Sequence, residues 1–497
     1  MIFQRRKPVR IFGESDKACT VEVRLNGKPL QSYPVKKGAF SFELPPQEAM
    51  ENAVLEIGEV VLENVDFGEV WLAGGQSNMQ FLVYWDAERE KVYACPPDEH
   101  FRYYDVARWS FEGEEKDGLR ANDAKHWDKW FTFSPETSPY FSSLPTFFAL
   151  NLRKALGVPV GIVGCNNGGT SASCWVPEED LTGDLKVYLD EYAAATKNLN
   201  LKRYEILNYF IRADLCEETY HLGLRGGLTP EEAARLRLEH KSPQWLALMD
   251  RVREEFTPEE FAQIGPRTRN RPCSMWHTMV TKIAGFTFRG TMWYQGCDDK
   301  KKANLYPELM SKLIARWRST FNDMPFIVTQ LAPFRGGQDQ GLGFPEVRAA
   351  QEQICKAERD VYLVSSSDVG NELDIHPKFK RKLGERTFLQ ALDKVYGIPT
   401  LSDAPTLDHA ERTECGVRLV MKHAEGLHAE GEISALEILK DGVPVPFEAS
   451  VEGETVAVRA PLKGAKEIEI KFAQALYYKV NLMNAAGIPA IPFRATI

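Results

Sequence analysis

Through the middle of the chain, unbroken apolar runs of strand length alternate with amphipathic stretches of helix length, and few architectures accept that pattern. Glu69–Ala73, Val158–Cys165, Phe288–Tyr294, Phe326–Leu331 and Val361–Ser365 are the predicted strands. Helices are predicted over Leu144–Leu156, Glu346–Glu358 and Lys378–Val395. A fourth begins near Asn304 and carries Leu305, Leu309, Leu313, Trp317 and Phe321 as one stripe at i, i+4 spacing. Strands that are apolar along their whole length have no face for water, so they form a parallel sheet covered by helices on both sides. The reading is a three-layer α/β domain over residues 66–400.

Both flanks have a different period. In TVEVRLNGKPL, Val21, Val23 and Leu25 alternate with polar residues and run into Asn26-Gly27, a tight-hairpin signal. Ala53–Leu62 continues in that style, so residues 1–65 are predicted to be a small all-β module. After Gly397-Ile398-Pro399 the alternation returns, with Val456 and Val458, then Ile468, Ile470 and Phe472, and turns at Asp441-Gly442 and Glu452-Gly453. A β-sandwich-like module is predicted over 401–497. Between about 178 and 272 strand signals vanish, and Thr229-Pro230-Glu231-Glu232 and Thr257-Pro258-Glu259-Glu260 each read as a capped helix start, which predicts a helical insertion.

Charge and cysteine content narrow the partners. With 61 Lys+Arg against 70 Asp+Glu the net charge is −9, which argues against nucleic-acid binding. No apolar run approaches the roughly 18 residues that span a bilayer. The start, MIFQRRKPVRIFGES, lacks a signal-peptide core, and the nine cysteines are dispersed with no C-x-x-C pair. The expectation is a cytoplasmic protein with reduced, buried thiols, no metal and no cofactor.

Chemistry concentrates at predicted strand ends. In EVWLAGGQSNMQF, residues 69–81, a buried strand runs through Gly74-Gly75 into Ser77. Glycines there let the backbone turn and leave the hydroxyl at the sheet's carboxyl edge, where open α/β sheets bind ligands. Met79 stands where the G-x-S-x-G elbow requires glycine, which disfavours an ordinary α/β-hydrolase. A hydroxyl nucleophile needs a base and the base an orienting acid. His376 follows the Val361–Ser365 strand on a loop, with Asp374 two residues upstream; His277 is the rival base but lacks an adjacent carboxylate. CNNGGT, residues 165–170, offers the N–H groups of Gly168 or Gly169, and WYQGCDD, residues 293–299, offers the Gln295 side chain; with the Ser77 N–H these form a predicted oxyanion hole. Asn78 and Trp175 are the candidate substrate contacts.

The GGQSNM, NNGGT, WYQG and DIHP blocks resemble the sialate O-acetylesterase family of SGNH-type carbohydrate esterases. KHAEGLHAEGEISALEIL (422–439) and VNLMNAAGIPAIPFRA (480–495) resemble its C-terminal β module. The resemblance implies a flavodoxin-like α/β/α core and metal-free, serine-dependent hydrolysis of acetyl esters on sugars. Ser77 matches the nucleophile, His376 the base and Asp374 its partner, while Gly168 or Gly169 and Gln295 match the oxyanion-hole blocks. One departure stands out, Cys297 where the family has Gln-Gly-Glu; Cys297 itself has no sequence element pairing it with a histidine as a nucleophile. The expected activity is deacetylation of O-acetylated sialic acids. Deacetylation of acetylxylan or other plant glycans, and glycan binding by a catalytically impaired protein, are the alternatives.

Overall fold

The computed structural model describes residues 1–117, 120, 123–214 and 243–497. Its central sheet runs, edge to edge, through Val361–Val364, Phe326–Thr329, Gly290–Tyr294, Val60–Gly75, Val160–Asn166, Asp98–Asp105 and Trp130–Phe133. Every neighbouring pair is parallel except the last, where Trp130–Phe133 runs antiparallel along the edge. With that added edge pair set aside, the five predicted strands, numbered in chain order, lie 2-1-3-4-5 across the sheet, the flavodoxin-like order. The Asp98–Asp105 and Trp130–Phe133 strands escaped prediction because each mixes charged or aromatic edge residues with few aliphatics.

Helices cover both faces. Trp71 points to one side, where its ring meets Phe148 edge-on at 4.9 Å between centroids. Gly74, three residues along and therefore on the other face, lies against Trp317 and Trp293. Ser143–Leu156 packs with Lys380–Gln390, and Tyr306–Thr320 with Phe344–Ala357. All four helices fall within a few residues of their predicted positions.

The flanking modules are built from strands. At the N-terminal end Cys19–Leu25 and Lys28–Val35 form the hairpin predicted at Asn26-Gly27. Val60–Gly75 is one continuous strand: its first half pairs antiparallel with Met50–Ile57 and its second half enters the central sheet. No chain break therefore falls at the expected boundary near residue 65. Beyond Gly397 two four-stranded antiparallel sheets enclose a separate core that includes Ile438, Val456, Ile470 and Phe472. The insertion is helical where described, with Val187–Thr196, Leu201–Asp214 and Pro243–Glu255. The Thr257 side chain accepts from the Glu260 N–H and the Glu260 carboxylate from the Thr257 N–H, the predicted capping box; Thr229–Glu232 lies outside the described residues. The eight described cysteines are free thiols, but only Cys165, Cys174, Cys273 and Cys297 are buried, and Cys415 is exposed. Among the described residues no helix is long and apolar enough to cross a membrane.

Candidate active site

Register brings the motif blocks to one level. Gly75 pairs with Asn166 on one side and with Tyr294 on the other, so Ser77, Gly168 and Gly296 each leave the sheet two residues beyond the same rung. This is the switch point between the first and third strands of the 2-1-3-4-5 order, where adjacent connections diverge and a crevice opens. Gly75 makes the exit: its φ is 137°, and a Cβ there would stand 2.3 Å from the Tyr294 carbonyl oxygen. The next residue locks two blocks together. Gln76 Oε1 accepts from the Gly296 and Cys297 N–H groups at 3.0 Å each, and its Nε2 donates to Asp298 at 2.6 Å.

Ser77 is half-buried at the start of the short helix Ser77–Gln80, so its N–H has no partner within that helix. A Cβ on Gly168 would lie 3.2 Å from the Ser77 Cβ, which puts the second block directly against the serine. The Gly168 N–H, however, donates to Gln80 Oε1 at 2.8 Å, so it is not available to an oxyanion. Gly169, at φ 73°, makes no hydrogen bond through its N–H among the described residues. The Ser77 and Gly169 N–H groups therefore make no hydrogen bond among the described residues.

The DIHP loop reaches the same place. Asn78 Nδ2 donates to the Ile375 carbonyl at 3.0 Å, tying the residue after Ser77 to the residue before His376. The Phe81 and His376 rings lie 6.5 Å apart and near parallel. Asp374 Oδ1 accepts the His376 backbone N–H at 2.9 Å and stands 3.7 Å from the imidazole Nδ1, close enough to favour the charged ring but longer than a hydrogen bond. Burial, and then the neighbouring Lys380 charge, hold the imidazole below its ordinary value of 6.5, against the opposing pull of Asp374. His376 is thus kept in the neutral form that accepts a proton. No hydrogen bond joins Ser77 Oγ to His376, a looseness common in sites without substrate.

Three predicted site residues have other duties. Gln295 is fully buried: its Nε2 donates to the Thr170 carbonyl at 3.1 Å and to Asp299, and its Oε1 accepts from Tyr306 at 3.1 Å. Both donors of its amide are thus engaged inside the core rather than free for an oxyanion. Trp175 is no sugar platform either. It has 0% exposure, meets Trp293 and Trp317 edge-on and donates through Nε1 to Thr170 at 3.0 Å, so no face is left for a ligand. Asn78 is 3% exposed and spends its amide on Ile375 and Lys380, which makes it a brace rather than a substrate contact. The rival His277 pairs with Glu178 at 3.0 Å, on the Ser274–Thr278 helix.

Sequence reasoning missed Lys380, Gln76 and Gln80. Lys380 is the sharpest case: it is fully buried, its Nζ donates to Asn78 Oδ1 at 2.6 Å, and it sits over the Phe81 and Tyr294 rings at 4.8 and 5.2 Å. Burial pushes its pKa down to about 7. It opens the helix Lys380–Gln390, and nothing in its local sequence marked it as buried.

Residues 267–392 match the family model described as carbohydrate esterase, sialic acid-specific acetylesterase, a segment that includes the WYQG and DIHP blocks. The sialate O-acetylesterase of Rattus norvegicus is 24% identical over 396 residues, covering 74% of this chain and 63% of that protein. The Homo sapiens sialate O-acetylesterase is 22% identical over 394 residues, covering 74% of this chain and 60% of that protein. The chain therefore spans less than two thirds of the length of these relatives. A crystal structure of a carbohydrate acetylesterase from Xanthomonas citri superimposes with a TM-score of 0.72 over 99% of this chain and 96% of its own, at 22% identity, which carries the fold. Residues 267–392 thus resemble the sialic acid-specific acetylesterase model, and the whole chain shares its fold with a solved carbohydrate acetylesterase.

Proposed function

We propose that the protein is a serine esterase that removes O-acetyl groups from sugars, with O-acetylated sialic acids as its substrates. The observation that carries this is the junction of the two motif blocks, where Asn78, beside Ser77, is bonded to Ile375, beside His376. Ser77 Oγ attacks the acetyl carbonyl while His376 takes its proton, and the oxyanion is met by the Ser77 and Gly169 N–H groups. His376 then returns the proton to the sugar oxygen as the C–O bond of the ester breaks. Water, deprotonated by His376, attacks the acetyl-serine and releases acetate. Asp374 favours the imidazolium that forms in each half-reaction.

Acetate release is to be measured from O-acetylated sialic acids and from acetylated xylo-oligosaccharides, with wild type and Ser77→Ala. Release from the sialic acids that falls by at least roughly 10³-fold in the variant is the expected result. Release from the xylo-oligosaccharides alone would move the substrate to plant glycans while keeping the mechanism. Undiminished release by Ser77→Ala would refute the mechanism.

A further inference from the structure

A buried lysine beside a general base needs a reason to be there. Lys380 is fully enclosed, and among the described residues no carboxylate pairs with its ammonium. Asp86 is near, but its Oδ2 accepts the Lys380 backbone N–H, at 3.0 Å, together with the Ser143 hydroxyl at 2.7 Å. Asp374 is spent on the His376 backbone and on Lys378, 3.8 Å away. The remaining groups facing the ammonium are the Asn78 amide, the Phe81 and Tyr294 rings and the Cys297 thiol. Burial pushes that thiol up to about 12, so it is neutral and offers no counter-charge. The ammonium therefore has one good acceptor, Asn78 Oδ1.

We propose, on the reading of Ser77 and His376 given above, that Lys380 is a positioning residue of this site: it clamps Asn78 between the Ser77 helix and the His376 loop, and the neutral Cys297 beside it leaves its positive charge to act on the imidazole. The clamp follows from the contacts. Asn78 holds Lys380 through its oxygen and the Ile375 carbonyl through its N–H, with the Cys297 thiol as a further neighbour, so losing the Lys380 bond loosens the hold on Ile375. The Lys380 charge, acting with that of Lys378 and against the pull of Asp374, opposes imidazolium formation and so keeps the ring a base as the pH falls. Lys380 carries its charge below about pH 7, the range in which His376 would take up a proton, so the two charges compete where it matters.

The test is an NMR titration of the His376 imidazole, assigned by its disappearance in His376→Gln, in wild type, Lys380→Met, Lys380→Arg and Cys297→Asp. Thermal unfolding checks that each variant is folded. Lys380→Met removes the charge and Cys297→Asp neutralises it, so in both the His376 midpoint moves to higher pH; Lys380→Arg keeps it low. Acetate release is read in parallel: Lys380→Met lowers kcat by about 10²-fold with KM within about twofold, as expected for a misplaced base rather than a lost substrate contact. A His376 midpoint unmoved in both Lys380→Met and Cys297→Asp overturns the proposal, and either variant alone decides it if the other does not fold. Midpoints that move as stated in a protein releasing no acetate would support the charge coupling and overturn the esterase reading.

Discussion

Replacing Trp175 by alanine separates a core residue from a sugar platform. The indole is completely enclosed, with Trp293 at 6.1 Å and Trp317 at 6.3 Å between ring centroids, both edge-on. Trp→Ala in such a setting costs about 3–5 kcal/mol through lost burial and the cavity left behind. The hydrogen bond from Nε1 to Thr170 Oγ1 adds about 1 kcal/mol. The bond from Trp317 Nε1 to the Trp175 carbonyl is untouched, because that acceptor is main chain. A loss of about 4 kcal/mol lowers the unfolding midpoint of the α/β core by roughly 6 °C. Trp175→Phe keeps most of the volume and loses the N–H, so its cost is about 1–2 kcal/mol. Differential scanning calorimetry gives the midpoints, and acetate release below them gives KM. The ordering Ala well below Phe, Phe just below wild type, with KM within about twofold throughout, is the expected result. An unchanged midpoint with KM raised tenfold in Trp175→Ala would refute the core assignment and return the indole to the substrate.

Lys380→Met should make stability less dependent on pH. With a folded pKa of about 7 against an ordinary 10.5, the unfolded chain binds the proton more readily between those values, so the wild type gains stability as pH rises through that range. Below about pH 7 the full penalty is present, at most about 5 kcal/mol, with the bond to Asn78 already part of that balance. Urea unfolding should therefore show the variant gaining on wild type at pH 6 and losing that advantage by pH 10; an equal difference at both would contradict the buried ammonium. For catalysis, His376 held below 6.5 places the acid limb of kcat/KM under that value, and a pH–rate profile with its limb at or above 6.5 would count against His376 as the free base. Gly75→Ala forces a Cβ to within 2.3 Å of the Tyr294 carbonyl at a φ of 137°; it should cost about 3 kcal/mol or more and cut soluble yield, and a variant with wild-type melting would show that the strand exit tolerates a side chain.

The parts of this molecule that were legible in its sequence are those whose physics is local. Unbroken apolar runs such as Val160–Asn166 admit little besides a buried strand, and the stripe from Leu309 to Trp317 little besides a helix against a sheet. Ser77 could be read because glycines before a serine at a strand end have a conformational meaning on their own. What escaped depends on partners distant in sequence. Gln295 has the right residue type at the right strand end, yet Thr170, Asp299 and Tyr306 turn its amide inward. Trp175 follows the expected loop but falls into a cluster with two other indoles from two other elements. The same holds for Gly168, which lies against the serine but whose N–H is claimed by Gln80 from a different block. Lys380 reads in sequence as one more charge in a basic helix start; only the meeting of that helix with the Ser77 helix makes it a buried cation.

The continuous strand Val60–Gly75 binds the fate of the N-terminal sheet to that of Ser77. Ile2–Gln4 lies parallel to Asp66–Gly68, Gln4 bonds to the Val70 N–H, and Arg5 pairs with the buried Glu69, so the first residues of the chain grip this strand where it enters the central sheet. Glu69 is held in turn by Arg289 at the base of the neighbouring strand. A segment so pinned cannot fray from its outer end without uncovering a buried carboxylate, so opening of the small sheet and loosening of the rod beneath Ser77 should occur as one cooperative event. Amide hydrogen exchange along residues 60–75 would then show a single protection plateau rather than a gradient, and excising the N-terminal sheet would cost the α/β core its rigidity instead of merely shortening the chain.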